Sequence, residues 1–357
     1  MSTSLPRRAA RMGVACLLGL ATLEIALRVV AAAGGGQFGS MLRKGDPEDT
    51  LELRGAHCFR PWPGSTVRYP NGTSAHVNEL GFRGPAVAIP KPAGTYRVLL
   101  LGGSTSHGFL VDDDQTIDAH LRRILRVPDA TRVEVVNLGF DALDALCEQE
   151  RLSSEGLALQ PDAVILHTGL NDLPALRFAA LGPDATDRGV RAQVRARQEA
   201  RQRQRGGWRT VNHFWFSARL PGVLRNLDRP FVFLPGPPEP DPQALADLER
   251  TLHASIALVA PDRTVLLSMP PSLLGVPGVP LSCPYVADVA TTRVYRERVD
   301  ALLRRIAAEE RVSGRDVRHV SHQLPAGVFL DDCHLDGEGN RLLAEDFARA
   351  LDDRPAR

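Results

Sequence analysis

Short apolar runs alternate with stretches of helical period from Arg97 onward. This alternation predicts an α/β domain built on a parallel sheet. The runs read as strands are Arg97–Gly102, Arg132–Asn137, Ala163–His167, Arg263–Ser268 and Asp316–Val320. Helical stretches lie between and after them, at Thr116–Leu125, Ala142–Ala158, Pro242–Val259, Thr292–Ala308 and Glu338–Leu351. Pro242–Val259 places Leu245, Leu248, Leu252 and Ile256 on one face, and Thr116–Leu125 does the same with Ile117, Leu121, Ile124 and Leu125. Both have the 3.6-residue period of a helix with one buried side. Residues 37–95 show turn residues and little period, and read as an irregular lead-in packed on the main domain at 96–357. The segment 174–241 is too long for a plain crossover and reads as an insertion.

The N-terminal pattern is different. Arg7, Arg8 and Arg11 precede an apolar run from Met12 to Ala33, which as a helix would be about 33 Å long, enough to span a bilayer. Glu24 and Arg28 interrupt it at a spacing that lets them pair. Residues 1–36 therefore read as an uncleaved anchor or a cleaved signal with Ala31-Ala32-Ala33 as the cleavage site. Either reading sends the rest of the chain out of the cytoplasm, to the periplasm or cell surface, because the arginines stay inside.

Composition narrows the function classes. The chain has 357 residues, 43 basic and 42 acidic side chains and a formal net charge of +1, so no global field points to nucleic acid as a partner. Arg188–Arg209 concentrates eight arginines against one acid, Glu199. A solvated helix is the plainer account of it, and a basic arm for anionic headgroups or polysaccharide the sharper one. Trp208, Phe214, Trp215 and Phe216 follow as core or as a lid. The five cysteines, Cys16, Cys58, Cys147, Cys283 and Cys333, form no C-x-x-C pair, which argues against a zinc ribbon or a thioredoxin-type site. In an exported domain a Cys283–Cys333 bridge would fix the loop around His334; two unrelated thiols are the alternative.

Four motifs stand at predicted strand ends. They are Gly102-Gly103-Ser104-Thr105-Ser106-His107-Gly108, Asn137-Leu138-Gly139, Gly169-Leu170-Asn171-Asp172 and Asp331-Asp332-Cys333-His334. Each alone is an ordinary turn. Together they put one serine, one histidine with a carboxylate three residues before it, and one side-chain amide on the carboxyl edge of a parallel sheet, where open α/β folds bind ligands. The group Asp331, Asp332, His334 and Asp336 also resembles a metal site, but that reading leaves Ser104 and Asn171 without a role. His107 reads as a pocket wall or surface histidine, His167 as a core histidine, and Asp172 as a cap of the next helix.

In this order the four motifs resemble the blocks of the SGNH or GDSL hydrolases: G-D-S, a glycine block, G-x-N-D and D-x-x-H. The lead-in sequence Asn78-Glu-Leu-Gly-Phe-Arg83 is similar to that of exported, N-terminally anchored bacterial members. The resemblance covers about residues 97–352 and departs at Gly103, where the family has Asp. It implies a three-layer α/β/α sandwich with a flavodoxin-like five-stranded parallel sheet. It also implies serine-dependent hydrolysis of O-acyl or O-acetyl esters of a carbohydrate or lipid, with no metal and no cofactor. Ser104 is then the nucleophile, His334 its base and Asp331 the group that orients the base. The backbone N–H groups of Ser104 and Gly139 and the amide of Asn171 would form the oxyanion hole. An O-acyltransferase of cell-envelope polysaccharide and a silent carbohydrate-binding protein of the same fold are the alternatives.

Overall fold

The computed structural model describes residues 51–54, 58–69, 71–128, 130–141, 143–177, 237–273 and 289–352, with Gly19 and Thr22. The N-terminal apolar run, the arginine-rich part of the insertion and Cys283 lie outside the described residues. No helix among the described residues is long and apolar enough to cross a membrane.

All five predicted strands form, within two residues of their expected limits. They are β5 (Thr95–Gly102), β6 (Arg132–Asn137), β7 (Ala163–His167), β8 (Thr264–Ser268) and β9 (Val317–Val320). They make one parallel sheet in the order β6-β5-β7-β8-β9, the flavodoxin-like arrangement expected. The helices are α1 (Ser104–His107), α2 (Ile117–Ile124), α3 (Ala145–Arg151), α4 (Pro242–Leu258), α5 (Val289–Val312) and α6 (Gly337–Asp352). The stretch expected as one helix from Ala142 to Ala158 is broken into α3, a π turn at Leu152–Gly156 and a 3-10 turn at Leu157–Leu159.

Alternation along β5 sorts the core into two faces. Leu99 and Leu101 join Leu248, Leu252 and Ile256 of α4 and Val299, Leu302 and Ile306 of α5. Val98 and Leu100 join Ile117 and Leu121 of α2 and Leu343, Phe347 and Leu351 of α6. Buried on both faces, the strands read as continuous apolar runs, which is why the pattern located them so closely.

The lead-in is more ordered than its sequence suggests. It holds the antiparallel pairs β1 (Leu51–Arg54) with β2 (Cys58–Pro61) and β3 (Thr66–Arg68) with β4 (Ser74–His76). A disulfide joins Cys58 of β2 to Cys147 of α3. The bridge considered from the sequence involves Cys283 and lies outside the described residues; Cys333 is buried, with Sγ 3.9 Å from Nδ1 of His334. The described part of the lead-in, from Leu51, and the sheet belong to one compact unit.

At the opposite edge of the sheet, Arg97 is fully buried in β5. Its Nε and Nη2 donate to Oε2 of Glu134 at 2.9 and 2.6 Å, and Nη1 to the Leu159 carbonyl at 2.6 Å. Removing one member of such a pair leaves a buried, uncompensated charge. Arg97→Leu is expected to lower unfolding free energy by roughly 3–5 kcal/mol, read as a lower urea midpoint at unchanged m-value.

Candidate active site

β5 ends on Gly102-Gly103, and α1 begins at Ser104. The turn is compressed against β7. A Cβ on residue 102 would lie 2.5 Å from the His167 carbonyl oxygen, and one on residue 103 would lie 2.2 Å from Nδ2 of Asn171. At residue 102 the close atom is backbone, and only glycine fits. At residue 103 it is the end of the Asn171 side chain, so a Cβ there would require the amide to shift. Asn171 itself follows Gly169, whose φ of +95° and 2.7 Å Cβ-to-Val299 approach also demand glycine.

The loop between β9 and α6 brings in the base. Nε2 of His334 lies 2.7 Å from Oγ of Ser104, and Nδ1 lies 2.6 Å from Oδ2 of Asp331. Oδ1 of Asp331 accepts from the backbone N–H groups of Cys333 and His334 at 3.0 and 2.8 Å, which locks the carboxylate to the loop. Oγ1 of Thr105 donates to the Cys333 carbonyl at 3.3 Å, tying α1 to the same loop. Ser104 is half-buried and therefore reachable.

The electrostatics support a relay. Burial raises the Asp331 carboxyl, but hydrogen bonds from His334 and two backbone N–H groups outweigh it and hold the group below the usual carboxylate range. Burial opposes protonation of His334, yet Asp331 and the neighbouring Cys333 outweigh it and raise its pKa above the ordinary 6.5. The pair is arranged to hold an imidazolium once the serine proton arrives.

Of the three expected oxyanion donors, Gly139 has its N–H engaged within the fold. Ser104 N–H is in the first turn of α1, where the helix itself supplies no acceptor. Asn171 Nδ2 gives one hydrogen to the Leu143 carbonyl at 2.8 Å, which orients the amide and leaves its second hydrogen toward the hollow it lines with Gly103 and Ser104. Gly139 is corrected. Its N–H is spent on Oδ1 of Asn137 at 2.9 Å, and its carbonyl accepts from Nδ1 of His107 at 3.1 Å in one tautomer. A Cβ there would lie 2.8 Å from the backbone N of His107, so this glycine allows α1 to close over the end of β6.

Glu148 lines the same hollow. Burial pushes its carboxyl well above the usual range, the charge of Asp172 adds to this, and a hydrogen bond with Thr168 opposes it. This shift disfavours a negative charge on Glu148 beside Asn171. Asp172 does cap a helix, but α3 rather than the next one: its carboxylate accepts from the Ala145 N–H at 3.2 Å. His107 is fully buried rather than a pocket wall, edge-on to Phe140. His167 is a core histidine, 3.0 Å from Oγ of Ser106. Asp336 accepts from the Gly339 N–H in the first turn of α6, and both ring nitrogens of His334 are engaged, so the acidic cluster assembles around the relay.

A second Ser–His–Asp chain lies nearby. Ser268 Oγ is 2.6 Å from Nε2 of His322, whose Nδ1 is 2.8 Å from Oδ2 of Asp346. Ser268 is 0% exposed, so a substrate cannot reach it. Distances alone do not define a catalytic serine; access does.

No family model matches the chain, and no curated protein matches it. Solved structures do. An acetylxylan esterase from Geobacillus stearothermophilus is similar at 16% identity over 73% of this chain and 97% of that one, with a TM-score of 0.41. A lipolytic protein of the G-D-S-L family from Desulfitobacterium hafniense is similar at 14% identity over 71% and 99%, TM-score 0.38. An alpha/beta hydrolase from the Lake Arreo metagenome is similar at 18% identity over 73% and 97%, TM-score 0.39. The chain is similar to solved ester hydrolases. Likeness at this level assigns no chemistry, which the side-chain geometry alone carries.

The reacting form of His334 is the neutral ring, so kcat/KM should rise as pH increases through its raised pKa. The acid limb is expected above pH 6.5. Asp331→Asn removes the charge that stabilises the imidazolium, and should move that limb to lower pH while cutting kcat by about 10³–10⁴-fold. A pH–rate series on both proteins checks this.

Proposed function

We propose that the chain is an extracytoplasmic serine ester hydrolase of the SGNH type, acting on O-acyl esters of a carbohydrate or lipid. The observation that carries this reading is the unbroken line from the half-buried Ser104 through His334 to Asp331, with the Asn171 amide facing the same hollow. Ser104 Oγ attacks the ester carbonyl while His334 Nε2 takes its proton. The Asn171 amide and the Ser104 N–H meet the negative charge that forms on the carbonyl oxygen. The imidazolium then returns its proton to the leaving alcohol, and water repeats the sequence to release the acid.

The compartment is part of the proposal. Arg7, Arg8 and Arg11 before the apolar run favour export, and the Cys58–Cys147 disulfide suits an oxidising compartment. The run from Met12 would serve as a membrane anchor.

The chain should hydrolyse p-nitrophenyl acetate. Ser104→Ala should lower kcat by at least about 10³-fold, and Asn171→Ala by about 10²–10³-fold. Hydrolysis persisting in Ser104→Ala would refute the assignment. Alkaline phosphatase fused after residue 40 should be active in a bacterial host; an inactive fusion would refute export.

A further inference from the structure

α1 is one turn long. Its Ser104 and Thr105 carbonyls accept from the N–H groups of Gly108 and Phe109, and that of Ser106 from Asn137 Nδ2, so the His107 carbonyl at its end needs a partner from outside the turn. It ends on Gly108 in the left-handed region, and two residues later Leu110 has φ +67°. A non-glycine residue in that region is strained and persists only where its surroundings over-determine it. What surrounds the segment 107–111 is the lead-in.

Arg83 reaches in from the lead-in with its side chain 1% exposed. Nη1 donates to the carbonyls of His107, at 2.8 Å, and Gly108. Nη2 donates to the Val111 carbonyl at 2.7 Å and to that of Ser74 at 3.2 Å. Nε donates to Oδ1 of Asp113 at 2.8 Å. All five N–H groups of the guanidinium are used, three of them on the segment that follows Ser104. A Cβ on residue 108 would lie 2.9 Å from Nη1, so the chain passes directly against the cation. Asn71, also in the lead-in, donates to the Leu110 carbonyl at 2.7 Å. Phe109 lies between Tyr69 of the lead-in, ring centroids 5.0 Å apart, and His334, 4.6 Å apart.

We propose that Arg83 is a positioning residue for catalysis. Its guanidinium fixes the turn between the Ser104 helix and Phe109, and through both it holds Ser104 Oγ and His334 Nε2 at reacting distance. The lead-in is thereby a working part of the active site. The inference rests on Ser104 as nucleophile. Lysine keeps the charge but not the planar fork of five donors, so charge alone does not substitute.

The test uses the full chain with p-nitrophenyl acetate and a fluorophosphonate probe that labels reactive serines. Arg83→Ala and Arg83→Lys should lower kcat by about 10–100-fold, the scale of a misplaced reacting group, with KM changed by less than about threefold, since no substrate contact is removed. Probe labelling of Ser104 should slow by the same factor. Millimolar guanidinium should restore kcat to Arg83→Ala, without accelerating wild type. A folded Arg83→Ala and Arg83→Lys with kcat within about twofold of wild type, or a loss confined to KM, would overturn the proposal. If circular dichroism shows Arg83→Ala unfolded, Arg83→Lys and Asn71→Ala decide: lower kcat at constant KM in both supports the proposal, and unchanged kcat in both overturns it. Wild type left unlabelled at Ser104 would overturn the nucleophile assignment and this proposal with it. Labelled wild type with unaffected variants overturns only the role of Arg83.

Discussion

The close approach of the chain at Gly102-Gly103 to the end of β7 is the contact on which the site depends. Two neighbouring parallel strands release their loops at the same edge, and the loops compete for the space above it. Because residues 102 and 103 have no Cβ, the His167 carbonyl and the Asn171 amide can occupy that space. Ser104 is thereby lifted beside the amide that faces its reaction centre. The same economy of volume governs Gly139, which lets α1 lie over the end of β6, and Gly169, whose turn sends Asn171 back toward the serine.

Around this contact, burial sorts the charged groups into those that must be ionised and those that must not. Asp331 keeps its charge because backbone N–H groups and His334 surround it. Glu148, buried beside Asp172, has its carboxyl pushed well above the usual range. A negative Glu148 in the same hollow would oppose the oxyanion that Asn171 is placed to receive. The Ser268–His322–Asp346 chain has comparable distances and is sealed in the core, so it satisfies buried polar atoms and stiffens the edge of the sheet. Two similar hydrogen-bonded series thus have different roles because one serine meets solvent and the other does not.

The lead-in alters the usual division between scaffold and accessory segment. Its strands are short, and its own core is small. It is held by a disulfide to α3 and by hydrogen bonds from Asn71 and Arg83 to the turn after Ser104. Such an element determines geometry by supplying donors to the carbonyls of His107, Gly108, Leu110 and Val111, at the end of α1 and in the turn after it.

The parallel strands were legible in the sequence because burial on both faces writes them as unbroken apolar runs. The relay was legible because Ser104, Asn171, Asp331 and His334 each sit within a short motif at a strand end. The Asp331–His334 spacing also makes their pairing local. What the sequence left open depends on contacts between distant segments. The bond from the Gly139 N–H to Asn137 Oδ1 is the exception, a local turn inside the glycine motif itself. Cys58 meets Cys147 across 89 residues of separation, while Cys333 packs beside His334. The helix expected over Ala142–Ala158 leaves the α form after Arg151, and Gly156 packs against Leu99 and Leu138 at the end of the π turn. Arg83 closes the lead-in motif that begins at Asn78, and only the fold buries it against the turn after Ser104. Local periodicity and spacing determined the elements and the reacting groups; tertiary packing alone decided which hydrogen-bond donors remain for the reaction and which are consumed in holding it together.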